Sequence, residues 1–432
     1  MMPLPPPAKS LWRDQEPASP DYPALLQDCA YDIAIIGGGY TGLHAAHTFA
    51  DAGLSVIVLE AGEPGIGGSG RNGGVVSAKF RRGFSDIARS HGLEMAQRMH
   101  AIATASVEHL TTTLNRFDLS STGFRRVGAL KCAHSAKALY HARQEADWLR
   151  NTLGDTGLHV LCAEAVAEET GSSSFVGGVL QDGAGTIQPL AYLLGLWGAA
   201  KARGIGVFAQ TPVQSIAEKG ERVVLTTPGA SVIADRVLVA TNAYSWLTPA
   251  GKPIARSIVP FRSAMVATEP LPDHLDKLLL PKCRSYTETR RMMRWFRKVD
   301  GRVIFGGRGA LGAVDAPAAF RRLEGAMLKI FPDLHDVPIA LRWSGQVALT
   351  FDGLPQAGLL SNRIGYAAGF NGAGVAMSGF VGDQIARRMT GQPHHLALIA
   401  RASIPKVPFY PLRAIAVRST TFFYEMLDAA GL

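Results

Sequence analysis

Four cysteines in 432 residues, Cys29, Cys132, Cys162 and Cys283, are too few for a disulfide-stapled scaffold, and none stands in a Cys-x-x-Cys pair. That usage speaks for a reducing compartment and against a structural zinc. Long apolar runs are missing as well. No stretch approaches the roughly 18 residues of a membrane-spanning helix, although 47% of the residues are hydrophobic. The opening Met1-Met-Pro-Leu-Pro-Pro-Pro has neither the basic nor the apolar region of a secretory signal, so a cytoplasmic location is expected. Acidic residues are in deficit, 35 against 44 Lys and Arg, which leaves a net charge of +9. Such a balance permits attraction to an anionic surface or substrate, with plain solvated surface as the competing reading. The basic residues are scattered, with only local clusters such as Arg290-Arg291 and Arg321-Arg322. No nucleic-acid module accompanies them, so no nucleic-acid partner is expected. His44 and His47 share a helix face at i, i+3, but nothing completes a metal site around them. No internal repeat is present. What remains is a chain too long for one simple core, suited to two lobes.

Chemistry enters at Tyr31-Asp-Ile-Ala-Ile-Ile-Gly37-Gly-Gly39-Tyr-Thr-Gly42. Ile33 to Ile36 form a short apolar run, as a parallel strand covered on both faces requires. Gly37 permits a tight turn, Gly39 leaves the backbone open to a pyrophosphate, and Gly42 lets the following helix pack closely on the strand. A diphosphate can then rest on free N–H groups at the positive end of that helix. A second apolar strand, Ser55-Val-Ile-Val-Leu-Glu60, ends in an acid 23 residues after Gly37. That is close to the roughly 20-residue spacing at which a carboxylate reaches ribose hydroxyls. The pattern predicts a bound dinucleotide. Downstream lies Pro64-Gly-Ile-Gly67-Gly-Ser69-Gly-Arg71-Asn72-Gly73-Gly74, where a nicotinamide dehydrogenase usually continues into another helix. This polar loop suits a long cofactor lying extended; its plain alternative is a flexible surface loop.

The remaining pattern is interleaved. Phe124 to Lys131 and Phe175 to Leu180 read as strands, with a helix over Ala133–Leu153 placing Ala136, Leu139, Tyr140 and Ala146 on related faces. Gln188 to Ala202 reads as a helix leading to a strand at Val207–Gln210. Arg222 to Ile233 reads as a hairpin turning at Pro228-Gly229, running into the strand Arg236–Ala240. Period-two alternation in Met292–Arg297 and Arg302–Phe305 predicts an antiparallel sheet with one face free to line a pocket. On or near it, Tyr286, Arg294, Arg297 and Arg308 are candidates for substrate contact, since an Arg could clamp a carboxylate. Trp343 is a candidate pocket wall. For each of these a structural role is the competing reading. The tail from Ile404 begins with prolines and becomes a basic, partly apolar helix, which permits peripheral membrane contact without favouring it.

The run from Asp32 to Gly74 resembles the FAD-dependent oxidases related to D-amino-acid oxidase, glycine oxidase and monomeric sarcosine oxidase, and its Gly-Ser-Gly-Arg-Asn-Gly-Gly loop is most similar to the gamma-glutamylputrescine oxidase branch. Ser10-Leu-Trp12 and Asp21 to Leu25 resemble that branch's lead-in. Further matching segments follow in order: Thr211-Pro-Val213, Arg236 to Ala243, Arg342-Trp343-Ser-Gly345, Thr350 to Pro355, and Gly369-Phe-Asn371-Gly372-Ala373-Gly374-Val375. The resemblance implies a two-lobed α/β flavoprotein, with a Rossmann-like FAD-binding domain drawn from 1–90, 188–250 and 341–400. An antiparallel-sheet substrate domain would come from 91–187 and 251–340, and 401–432 would form a tail. The implied cofactor residues are Gly37, Gly39, Tyr40, Thr41, Gly42, Glu60, Ala61, Ser69, Arg71, Asn72, Gly73, Val213, Ala240, Thr241, Gly345, Asn371, Gly372 and Gly374. The implied reaction is oxidation of a C–N bond in a small amine or amino acid to an imine, with electrons passed to oxygen. A dehydrogenase using a quinone or protein acceptor is the alternative, and a non-catalytic flavin-binding protein a more distant one. Two departures stand out. Gly345 lies where some relatives attach the flavin to a Cys, so noncovalent FAD is expected. Ala373 replaces a His found in many relatives.

Overall fold

The computed structural model describes residues 9–16, 21–308 and 317–412, with scattered positions between 415 and 427; most of the expected tail helix lies outside them. The strand Cys29–Ile36 sits inside a nine-stranded sheet. It pairs in parallel with Val56–Leu59 on one side and Ser231–Val239 on the other. Gly206–Phe208 and Ile364–Ala368 extend the parallel region outward. Residues 33–36 and 56–59 are buried throughout, as strands covered on both faces must be. The hairpin closing at Pro228-Gly229 forms from Arg222–Thr226 and Ser231–Val239, whose far half continues unbroken into the parallel sheet.

The helices Tyr40–Asp51 and Gly374–Met389 cover one face and pack against each other through small residues. A Cβ at Gly382 would lie 2.3 Å from the Thr41 carbonyl oxygen, and one at Gly379 would lie 2.7 Å from the His44 ring. The helix Pro189–Ala202 packs on the same core, with Trp197 fully buried and its Nε1 donating to the Gly38 carbonyl at 2.8 Å.

Eight strands form the second sheet, antiparallel except where Ser285–Glu288 meets Ala129–Cys132. The long pair Val259–Thr268 and Ile339–Leu349 is hydrogen-bonded along nearly its whole length. Residues 341–349 therefore belong to this sheet by hydrogen bonding, although the sequence groups them with the nucleotide segments. Alternation does its expected work here. Phe261, Ser263 and Met265 face a cavity, while Ala264 and Val266 face a separate core with Phe296, Phe305 and residues of the helix Pro317–Ile330.

Two elements differ from their sequence reading. The strand expected from Phe124 begins only at Ala129, because Gly128 has φ +81° and breaks the extended run; Arg125 makes an isolated bridge to Thr186. In the helix Ala136–Leu153, Tyr140 is exposed and the buried pair is Ala142 and Ala146, one turn apart. The helix starts three residues later than expected, capped by the Ser135 side chain.

Candidate active site

One cavity of about 320 Å³ runs between the two sheets, a size ordinary for small-molecule sites. Its nucleotide end is made largely of backbone. Gly37 turns the chain out of its strand with φ +108°. At Gly39 a Cβ would project toward Ser69 Oγ, 3.0 Å away. Gly42 is the one proposed cofactor residue that does not line the cavity. A Cβ there would sit 2.1 Å from the Gly37 carbonyl oxygen, so its role is to let helix and turn touch.

Glu60 closes the first turn. Its Oε2 accepts from the Gly38 N–H at 2.9 Å and its Oε1 from the Gly62 N–H at 3.2 Å. Burial pushes its pKa up, and these amide donors pull it back. Both oxygens retain lone pairs for hydroxyl donors. Ala61, Val213, Ala240 and Thr241 complete this end of the cavity.

The glycine-rich loop is no free surface loop. Asn72 Nδ2 donates to the Ser69 and Gly68 carbonyls at 2.9 and 3.2 Å, and its Oδ1 accepts from the Gly74 N–H at 2.8 Å. Arg71 is buried, its Nε donating to the Ile66 carbonyl at 2.8 Å and its Nη1 to the Ser344 carbonyl at 3.3 Å. The Tyr40 hydroxyl lies 2.8 and 2.7 Å from the Ser69 and Pro189 carbonyls, which share its one proton, and its N–H meets Ser69 Oγ at 3.2 Å. The lead-in helix Leu11–Gln15 belongs to the same assembly, since Trp12 Nε1 donates to the Asn72 carbonyl at 2.8 Å.

A second helix N-terminus opens on the same space. Asn371 (φ +55°) and Gly372 turn the chain into Gly374–Met389, and Asn371 Oδ1 accepts the Thr350 N–H at 2.9 Å. Ala373 occupies the N-cap and has no side-chain acceptor, which leaves the first-turn amides uncapped. Gly372, Gly374 and Val375 line the cavity, as does Gly345. Two helix N-termini without side-chain caps, a glycine cradle and a ribose-ready carboxylate together fit an extended dinucleotide. No cysteine lines the cavity.

The far end is walled by the second sheet: Phe261, Ser263, Met265, Thr287, Met293, Trp295 and Gly307. The Trp295 ring lies against both Gly73 and Gly306, where a Cβ would come within 2.3 and 2.2 Å of it. Most of the candidate substrate residues are elsewhere. Tyr286, one position out of phase with Thr287, points into the other core, stacks on Phe296 and donates to the Glu169 carbonyl at 3.1 Å. Arg294 is engaged by Glu288 at 3.3 Å. Arg297 is buried and donates to the carbonyls of Gly73, Gly74 and Ile187 at 3.0 to 3.1 Å, so it supports the cofactor loop from behind. Trp343 is buried behind Arg71, to whose carbonyl its Nε1 donates at 3.0 Å. The side chain of Arg308 lies outside the described residues. Sequence reasoning passed over Trp295, Met293 and Lys79, all in the cavity wall. The odd-numbered run Val75, Ser77, Lys79 was the available signal for the last.

His44 and His47 are committed to structure. His44 Nδ1 meets His109 Nε2 at 2.8 Å and its Nε2 meets the Tyr192 hydroxyl at 2.7 Å. Arg203 Nη1 lies 3.0 Å from His47 Nδ1; an Arg can only donate, so that nitrogen accepts and the ring is neutral. Burial, with help from Arg203 and Arg116, takes the His47 pKa down to about 4.

Comparison with known proteins agrees with this geometry. The chain is 31% identical over 417 residues to gamma-glutamylputrescine oxidoreductase of Escherichia coli strain K12, covering 95% of this chain and 96% of that protein. In structure it resembles glycine oxidase from Geobacillus kaustophilus, with a TM-score of 0.74 at 20% identity over 88% of this chain and 99% of the other. L-proline dehydrogenase from P. horikoshii shares the fold too, with a TM-score of 0.70 at 21% identity over 85% and 95% of the two chains. Residues 32–388 match the DAO family model, described as FAD dependent oxidoreductase, and the chain belongs to that family.

Proposed function

We propose that this FAD-dependent oxidoreductase oxidises a C–N bond of a small amine or amino acid to an imine and passes the electrons to oxygen, giving hydrogen peroxide. The observation that carries the reading is the juxtaposition in one cavity of a dinucleotide cradle and a mostly apolar chamber, with Gly345, Gly372, Gly374 and Val375 also in its lining. The relatives' names support the amine class. Bound FAD supplies a hydride acceptor for a C–H beside an amine nitrogen. The chain's own residues do the rest. Gly39 and the first-turn amides of Tyr40–Asp51 receive the diphosphate, and Glu60 takes the ribose hydroxyls. The amides that begin Gly374–Met389 stabilise negative charge delivered to the cavity's centre. Phe261, Met265, Met293 and Trp295 exclude water and orient the substrate's carbon chain. In this reading the FAD-binding domain comprises 1–90, 188–250 and 341–400, and the substrate domain 91–187 and 251–340. A cytoplasmic location follows from the sparse cysteines; among the described residues no helix is long and apolar enough to cross a membrane.

With no cysteine in the cavity wall, FAD is held noncovalently in this reading, and acid precipitation should leave the yellow cofactor in the supernatant. Anaerobic mixing with a panel of amines and amino acids should bleach the flavin, whereas matching alcohols should not. Bleaching by alcohols alone would overturn the amine assignment. Admitting air then separates the acceptors: rapid return of colour with peroxide marks an oxidase, and persistent bleaching marks a dehydrogenase.

A further inference from the structure

The chain's excess positive charge is gathered in two stretches. No acid occurs between Asp383 and Glu425, a run that carries Arg387, Arg388, Arg401, Lys406, Arg413 and Arg418. None occurs between Asp235 and Glu269 either, where Arg236, Lys252, Arg256 and Arg262 stand. Folding ties the two runs together: the Val407 N–H donates to the Arg256 carbonyl at 3.1 Å. A third segment joins them. Arg401 donates to Asp352 at 2.5 Å, which takes up that acid, and the Gln356 amide donates to the Ser257 hydroxyl. The turn at Gly353 rests in its turn on Arg81 and Arg82, since a Cβ there would lie 3.3 Å from the Arg82 nitrogen. Arg81, Lys252, Arg256 and Lys406 are all exposed.

The same segments carry the two most exposed large apolar side chains among the described residues, Phe351 at 86% and Phe409 at 82%. Phe351 precedes Asp352, and Phe409 lies two residues beyond Val407, so each ring stands beside a contact that joins the segments. Leu412 and Ile415 follow, both more than half exposed. Rings left this bare in water gain by burial elsewhere. Bare apolar side chains in a basic, acid-poor surround match the boundary of an anionic bilayer, where rings enter the headgroup layer and cations meet phosphates. A nucleic acid would answer the cations and stack on the rings, but would leave Leu412 and Ile415 in water. Pro405, Pro408 and Pro411 deny this segment the continuous strand edge that a partner protein could extend. We propose that this face docks the enzyme reversibly on an anionic lipid surface. Phe351, Phe409, Arg256 and Lys406 all lie outside the cavity lining, so the inference goes beyond the amine reading and stands or falls without it.

The test mixes purified holoenzyme, without substrate, with sedimentable vesicles of phosphatidylcholine alone or of phosphatidylcholine with phosphatidylglycerol. The native protein should bind the mixed vesicles about tenfold more tightly than the neutral ones, and added salt should weaken the binding. Phe351→Ser combined with Phe409→Ser should weaken binding to the mixed vesicles by about tenfold. Arg256→Gln combined with Lys406→Gln should remove most of the preference for the anionic lipid. FAD content and melting temperature should match the native values in both variants, because the substituted side chains are exposed. No binding, or equal binding to the two kinds of vesicle, overturns the proposal. Binding indifferent to the Phe substitutions overturns it as well, since that marks adsorption by net charge alone. Tighter binding to single-stranded oligothymidylate than to the mixed vesicles would assign the face to nucleic acid. Self-association of the native protein that the Phe substitutions abolish would assign it to a second copy of the chain. A loss of FAD in either variant would give these side chains a structural role. Each of these three results sinks the lipid assignment.

Discussion

At the nucleotide end of the cavity the binding surface is backbone: the turn at Gly37, the open edge at Gly39, the amides that begin two helices, and one carboxylate, Glu60, itself tied to the turn. At the other end the surface is side chains projected from a sheet, with Phe261, Met265 and Trp295 supplying bulk. Backbone recognition tolerates almost no change, because its groups are main-chain atoms whose positions the strand, turn and helix geometry fixes. Side-chain recognition can be altered position by position, which is how one fold serves many substrates. Between the two ends stands Arg297, rooted in the second sheet and bonded to the loop of the first.

The sharpest way to break this contrast is Gly39→Val. Its side chain would occupy the diphosphate's approach, and flavin occupancy after purification should drop below about a tenth of the native value, while circular dichroism stays native. Near-normal yellow colour in the variant would show that backbone access is not what admits the cofactor.

Arg297→Met tests the link between the two ends. It leaves buried carbonyls of Gly73, Gly74 and Ile187 without their donor, at a cost of about 2–4 kcal/mol. Thermal unfolding should shift down in both apo and holo protein, and flavin affinity should fall with it. A change in substrate KM without loss of stability would instead place the guanidinium in direct contact with substrate.

A smaller effect is expected from acid. His47, buried and neutral, has a folded pKa near 4 against an ordinary value of 6.5. The unfolded chain therefore binds a proton that the folded one refuses, so stability is full above pH 6.5 and declines as pH falls from there toward 4. The loss attributable to this ring is on the order of 3 kcal/mol. His44 and His109 are depressed by burial as well and act in the same direction. Melting temperatures measured from pH 7.5 to 5 should fall, and His47→Gln should flatten the slope without abolishing it. An unchanged slope would mean that the ring is already charged or exposed.

Glu60→Ala should be the mildest. The carboxylate's bonds to Gly38 and Gly62 are lost together with the ribose contact proposed for it, but the glycine cradle remains. Flavin affinity should weaken by about tenfold, and a loss as complete as that of Gly39→Val would contradict the primacy of the backbone.

How far these regions were legible beforehand follows the same division. Gly37, Gly39, Gly42 and Glu60 could be read from spacing, because strand, turn and helix are consecutive and each glycine has a local reason to be there. The hairpin at Pro228-Gly229 and the alternation around Trp295 were readable for the same cause. Arg297 shares the face of Trp295 but is taken up by the carbonyls of Gly73, Gly74 and Ile187; Tyr286 was misplaced because alternation tells that neighbours face opposite ways but not which face meets the cavity. That depends on what packs behind the sheet: the core of Phe296, Phe305 and the helix Pro317–Ile330 claimed the Tyr286 side. Lys79 was passed over because its place in the cavity wall is visible only once every neighbour has a position.

By itself, then, the sequence determined the dinucleotide turn, the order of strands and helices, and the class of cofactor, all of which rest on short-range sterics and hydrogen bonding within a few tens of residues. The tertiary structure decided which face of the second sheet became the wall, why Arg297 and Trp343 serve the cofactor loop and not the substrate, and that Lys79 lines the cavity. Those outcomes depend on desolvation and contact between segments as far apart as Gly73 and Arg297, and burial is a property of the folded whole that no local run of residues carries.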